Sequence, residues 1–341
     1  MARPLLLSCA FLLGCHSGAA AVPTGTAQSF RLSASGGVGF DDLLFSSELH
    51  AVVAPAGSTG CVGLFDSATL RKSELCGVSP GGSYAGGHGE GTTSADSGAG
   101  FIFAIDRSSQ TLQVADAKQL RLVTHTRLGG GPDYVRWVEA THEVWVTEPD
   151  QEQIEVFALE ADAPPKLSRA STISVKGGPE SLVVDRAKGR AFTHLWSGRT
   201  VQVDVPTHTV QAEFSNGCRG SRGIALDATN GLLLSGCAEG RATVVDVDHG
   251  GKLLASASVP AGVDIIAVNL SLRHLYVPAA SDGSVAVLGV NEAGTLTHLG
   301  DFRAARGAHC VAGDDHGRAW VCAPDEGSIM VFVDTFPAVT R

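Results

Sequence analysis

The sequence predicts an all-β fold: a seven-bladed β-propeller of four-stranded antiparallel blades, closed by an N-terminal strand. Three observations carry that expectation. Residues 178–214 (GPESLVVDRAKGRAFTHLWSGRTVQVDVPTHTVQAEF) read as four short strands separated by DRAKG, WSGR and PTH. Short apolar runs punctuated by Gly, Pro and Asp mark an antiparallel meander. An apolar pair or apolar–Asp pair in the third strand then recurs at Phe65, Ala115, Val156, Val203, Val245, Val287 and Val331, in steps of 50, 41, 47, 42, 42 and 44 residues. A period near forty-odd residues with four strands per unit is that of propeller blades, each packing only on its neighbours. Finally, the last copy ends at IMVFVDT with only FPAVTR behind it, while AQSFRLSA (27–34) precedes the first copy as a spare strand. Pairing Phe30 to Ser33 beside the strand of Val331 closes the ring and removes two open sheet edges.

From the start of the chain, residues 1–21 read as an export signal. MARP carries one positive charge, and LLLSCAFLL is an apolar run too short to span a membrane. LLGC at 12–15 has the form of a bacterial lipobox, which makes Cys15 a candidate for lipidation; the alternative is cleavage after Ala21. Residues 22–26 follow as a tether, 27–335 as a single propeller domain and 336–341 as a C-terminal tail. The turn between the first two strands repeats as DSGAG (96–100), DRAKG (185–189) and DATNG (227–231), where Asp caps and Gly supplies a positive φ. The second blade is irregular: its first strand must come from GEGTTSAD, behind the Gly-rich stretch 81–91, whose composition has no account from sequence.

Segments such as GVDIIAVNLSLRHLYVPAASDGSVAVLGVN, with LYVPAASDGSV the clearest, resemble the YVTN repeat of the YncE-like, quinoprotein-dehydrogenase-like propellers, over roughly residues 36–335. The resemblance implies the fold. It leaves the activity open, because the same blades serve lactonases, redox enzymes and binding proteins.

Six cysteines remain beyond Cys9 and Cys15. Cys61 with Cys76, and Cys310 with Cys322, flank hairpin turns symmetrically, and Cys218 and Cys237 share one face of the fifth blade. Three disulfides are expected, consistent with an oxidising compartment. Without a CxxC pair, metal ligation is the weaker alternative. The net charge is −10, with no basic stripe, so the chain lacks the electrostatic footprint of a nucleic-acid binder. There is no CxxCH for covalent haem and no GxSxG nucleophile motif.

In a meander, the starts of the first strands crowd around one mouth of the central channel. They bring Asp41, Asp42, His88, Glu90, Asp133, Glu180, Arg222, Asp264 and His309 there, and turns between the second and third strands add Glu148, His194 and Trp196. The candidate ligand-binding set is His88, Glu90, Asp133, Glu180, His194, Arg222, Asp264 and His309; the candidate metal ligands are His88, His309, Asp133 and Glu180. Carboxylates so placed repel one another, which calls for a cationic or metal-bridged ligand at this mouth. Two functions compete. One is an exported binding or scaffold protein, lipid-anchored in the periplasm or outer membrane or else secreted, monomeric, holding a small molecule, a peptide or an envelope protein. The other is a lactonase-like hydrolase with a divalent metal ion at the mouth and His88 or His309 as base. A quinone-dependent dehydrogenase ranks last, because the tryptophan-docking repeats of large quinoproteins are missing.

Overall fold

The computed structural model describes residues 27–33, 36–79, 83–162 and 164–340. Their strands form seven antiparallel sheets of four strands each. Six blades follow chain order and span residues 44–76, 92–127, 135–174, 183–215, 221–258 and 267–303. The seventh is assembled from both ends of the chain, in the order Gln28–Arg31, Ser328–Val333, Arg318–Ala323, Val311–Gly313. The first strand of every blade touches the first strands on either side, which closes an inner ring around the channel.

All seven anchor residues lie in the third strand of their blade and are buried. The Asp that follows several of them has a local reason. Asp66, Asp116, Asp204 and Asp246 end their strands and accept backbone N–H groups of the next turn, from Thr69 (2.6 Å), Gln119 (2.7 Å), Thr207 (2.9 Å) and Asp248 (3.0 Å). In blades 2 to 6 the pairing of the third strand with the fourth also shifts register at or beside the anchor. That repeated bulge adds twist to each outer edge.

Two local expectations need correction. The closing strand pairs over Gln28–Arg31, with Phe30 opposite Ile329, rather than over Phe30 to Ser33. Leu32 leaves the ladder because its N–H goes to the Gly327 carbonyl (2.8 Å) and its side chain is buried over Gly63. In blade 2, Asp96 does not open a turn. The strand Thr92–Gly98 runs through it, and the hairpin turns at Ala99 and Gly100, both at positive φ (53° and 81°). Asp96 instead accepts the Trp137 N–H of blade 3 (2.8 Å), whereas Asp185 and Asp227 cap their turns as expected. The residues after the last strand pack against blade 6. Asp334 accepts the Tyr276 hydroxyl (2.7 Å), the Phe336 ring lies over Gly300, and the Val339 N–H reaches the Leu272 carbonyl (3.0 Å).

All three disulfides form: Cys61–Cys76, Cys218–Cys237 and Cys310–Cys322, with Cα separations of 4.1, 5.3 and 5.6 Å. Each restricts the unfolded chain and contributes on the order of 2–4 kcal/mol. Their number fits a protein of an oxidising, extracytoplasmic compartment. The export signal, Cys15 and the tether lie outside the described residues. Among the described residues, no helix is long and apolar enough to cross a membrane.

Candidate functional site

The first-strand rule gathers a charged mouth at one end of the channel. Asp41 precedes blade 1, His88 blade 2, Asp133 blade 3, Glu180 blade 4, Asp264 blade 6 and His309 blade 7, while Arg222 is the second residue of blade 5. His88 reaches inward because its loop is laid flat on neighbouring backbone. A Cβ on Gly39 would stand 2.5 Å from the Gly87 carbonyl oxygen, and one on Gly91 2.2 Å from that of Gly57. Only glycine permits such an approach, which accounts for part of the loop's composition.

The contacts form one network. His88 Nδ1 lies 2.9 Å from Asp41 Oδ2, and its Nε2 faces Asp264 Oδ2 at 3.6 Å. Its ring stacks on His309 with centroids 5.4 Å apart. Arg107, which follows the second strand of blade 2, bridges Asp41 (3.2 Å) and Asp133, and donates to the backbone carbonyls of His88 (2.9 Å) and Pro132 (3.0 Å). Glu180 accepts the indole N–H of Trp196 and faces Arg222 Nε at 3.7 Å. The Arg222 guanidinium sits over the Trp196 ring, 4.5 Å from its centroid. His309 directs Nδ1 to the Gly307 carbonyl (2.7 Å) and Nε2 to the Phe40 carbonyl (2.9 Å).

Other residues of the expected set stand apart. Glu90 is exposed and joins none of these contacts. His194 is fully buried inside blade 4, with Nδ1 on Thr200 Oγ1 (2.8 Å) and Nε2 without a partner among the described residues. Burial pushes it down to about 3, so it stays neutral. Glu148 is likewise buried, one oxygen held by Gln153 Nε2 (2.6 Å) and the other unpartnered. Asp42 lies below the mouth, buried in a bidentate pair with Arg136. Of the expected metal ligands, His88 and His309 bring ligand atoms within 4.8 Å of one another together with Asp264, whereas Asp133 and Glu180 belong to no such trio among the described residues. Sequence reasoning did not single out Arg107; its place in a turn between second and third strands was the available signal.

Burial and crowding spread the acidities apart. Glu180 is pushed up to about 9, by burial first and then by the nearby Asp133 charge. Burial lifts Asp133 to about 7 against the pull of Arg107, and raises Asp264 as well. Asp41 is drawn below its usual range: burial opposes this, but His88 and Arg107 outweigh it. The Asp41 carboxylate in turn raises His88 to about 9. Glu180, Asp133 and His88, with ordinary values of 4.5, 3.8 and 6.5, therefore all bind protons more tightly in the folded chain. Each adds stability that is complete below its ordinary value and is lost as pH rises through its folded value. The thermal midpoint is expected to be higher near pH 6 than near pH 9, and Glu180→Gln should narrow that difference. A midpoint that rises toward pH 9 would contradict these shifts.

Beside this network a cleft of about 640 Å³ opens between blades 3 and 4, lined by His88, Arg107, Asp133, Asp150, Glu180 and Trp196 with Pro132 and Pro149. Trp196 is 56 % exposed there, the most exposed large apolar side chain among the described residues. A larger groove of about 790 Å³ lies between the outer strands of blades 5 and 6, without a comparable charged network.

No protein-family model matches the chain, and no curated protein matches it in sequence. Among solved structures it is similar to the hydrazine synthase of Kuenenia stuttgartiensis, with a TM-score of 0.70 at 11 % identity over 95 % of this chain and 100 % of that one. As many as 1782 solved chains match, so the likeness establishes a propeller architecture and assigns no activity.

Proposed function

We propose that the chain is an exported, YncE-like propeller, lipid-anchored through Cys15 at the periplasmic or outer-membrane surface, that works as a binding protein through the channel mouth. The observation that carries this reading is the cleft between blades 3 and 4, where an exposed tryptophan and buried, hydrogen-bonded charges share about 640 Å³. That volume falls in the range of small-ligand sites, and a rigid scaffold holding convergent polar groups around an apolar wall is their usual construction. Of a small molecule, a peptide and an envelope protein, the dimensions favour the small molecule. The three disulfides support export; the lipid anchor rests on the LLGC motif.

The second reading, a metal-assisted hydrolase, draws on His88, Asp264 and His309, whose ligand atoms lie within 4.8 Å of one another. Against it, both His309 nitrogens face backbone carbonyls and His88 is paired with Asp41. An ion there must displace those partners and the proton that Asp41 holds on His88.

The test is retention of small molecules from an envelope extract by purified protein, with mass spectrometry of the released species. Wild type is expected to retain at least one species that Trp196→Ala loses. Identical profiles would refute binding at this mouth.

A further inference from the structure

Most donors around the cleft are committed, His88 Nε2 and Arg222 Nε excepted, while several acceptors are not. Arg107 spends Nε on the Pro132 carbonyl, Nη1 on the His88 carbonyl and Nη2 on Asp41 and Asp133. The Trp196 N–H is on Glu180, and both His309 nitrogens are on carbonyls. By contrast, among the described residues Glu180 Oε1 has only Arg222 Nε at 3.7 Å, longer than a hydrogen bond. Asp133 uses one oxygen on Arg107, and Asp264 meets His88 only at 3.6 Å. The cleft lining itself holds three acidic side chains (Asp133, Asp150, Glu180), and two of them, Glu180 and Asp133, are buried and crowded enough to hold protons tightly while no cation lies between them. A cation entering here meets unused acceptor oxygens and takes the place of protons that these acids otherwise hold.

Two further features define its shape and size. Trp196 already serves as a platform for a cation, since the guanidinium carbon of Arg222 sits over its ring, 4.5 Å from the centroid. Among the described residues, neither Asp133 nor Glu180 joins a trio with ligand atoms within 4.8 Å, a spacing too open for a bare metal ion.

We infer that the cleft between blades 3 and 4 takes a small organic cation, an ammonium or guanidinium on a short apolar stem. This rests on the reading of the mouth as the binding face. The cationic head sits between Glu180 and Asp133, and the stem lies against Trp196, Pro132 and Pro149. Arg222 marks the same chemistry from within the chain, because its guanidinium pairs with the same acid and the same indole that the ligand would use.

Calorimetric titration of the full chain with agmatine and tyramine, and in parallel with phenylacetate, succinate and zinc ion, tests the charge and size of the ligand. Agmatine or tyramine is expected to bind, with affinity at least tenfold weaker in Glu180→Gln and several-fold weaker in Trp196→Ala. Trp196 is exposed, so its variant keeps the test valid if Glu180→Gln folds poorly. Failure of both amines to bind wild type, or amine affinities unchanged in both variants, would overturn the inference. Binding of phenylacetate or succinate that depends on Trp196, without amine binding, would overturn it while leaving the mouth as the binding face. If, in the extract experiment, Trp196→Ala retains the same species as wild type, that broader reading falls instead.

Discussion

Deletion of residues 22–33 is expected to lower the thermal midpoint of the whole ring in a single transition. The strand Gln28–Arg31 is the outer edge of blade 7, but its side chains also bind blade 1. Phe30 stacks on Trp320 of blade 7 (5.9 Å between centroids) and packs on Phe65 of blade 1 (5.5 Å). The Lys72 ammonium of blade 1 donates to the Arg31 carbonyl (2.7 Å), and Leu32 is buried over Gly63 in the same blade. Losing Phe30 and Leu32 together should cost on the order of 5 kcal/mol, since each large apolar truncation costs about 2–5 kcal/mol when buried and Phe30 is only half buried. Phe30→Ala should give a smaller loss of the same kind. An unchanged midpoint in the truncated chain would show that the blades close without this strand.

Arg136→Met should be the most damaging single substitution in the channel. Arg136 grips Asp42 through two nitrogens (2.6 and 2.9 Å), and Ser94 donates to the same carboxylate (2.5 Å). Both charged groups sit in a cavity of about 290 Å³ lined by Leu182, Ile224, Ile265 and Ala312. Removing the cation leaves a carboxylate buried without its counter-charge, which costs about 3–5 kcal/mol. The double variant with Asp42→Asn should recover much of that loss, because no charge is then stranded. Denaturant unfolding of the two variants decides the matter. A single-variant loss below about 1 kcal/mol, or no recovery in the double variant, would mean that water reaches the pair.

The blades were legible because one residue type does one local task seven times over: an apolar anchor packs between sheets, and in four blades an Asp after it caps the next turn. The disulfides were legible for a related reason, since each spans a hairpin or one end of it. The mouth was legible only in part. Strand direction placed His88, Asp133, Glu180, Arg222, Asp264 and His309 at one end of the channel, where the structure has them, because a strand start is fixed by topology. The ends of the second strands were not, and they decide which side chains stay within the sheet and which project from the turn beyond: Glu148 and His194 are still strand residues. Glu148 and His194 therefore go inward, while Asp150 and Trp196, two residues on in each case, line the cleft. Arg107 occupies the same kind of turn in blade 2, and the Gly-rich loop carrying His88 obeys backbone contacts that no local pattern encodes.

Whether function resides at this mouth is tested most directly by hydrogen–deuterium exchange of the full chain with and without the small-molecule fraction of an envelope extract. Slowed exchange is expected in residues 86–91, 129–133, 177–181 and 196–198, which form the walls of the cleft and the loops behind them. Slowing confined to residues 258–260 and 301–303, in the larger groove between blades 5 and 6, or no slowing at the mouth, would contradict it.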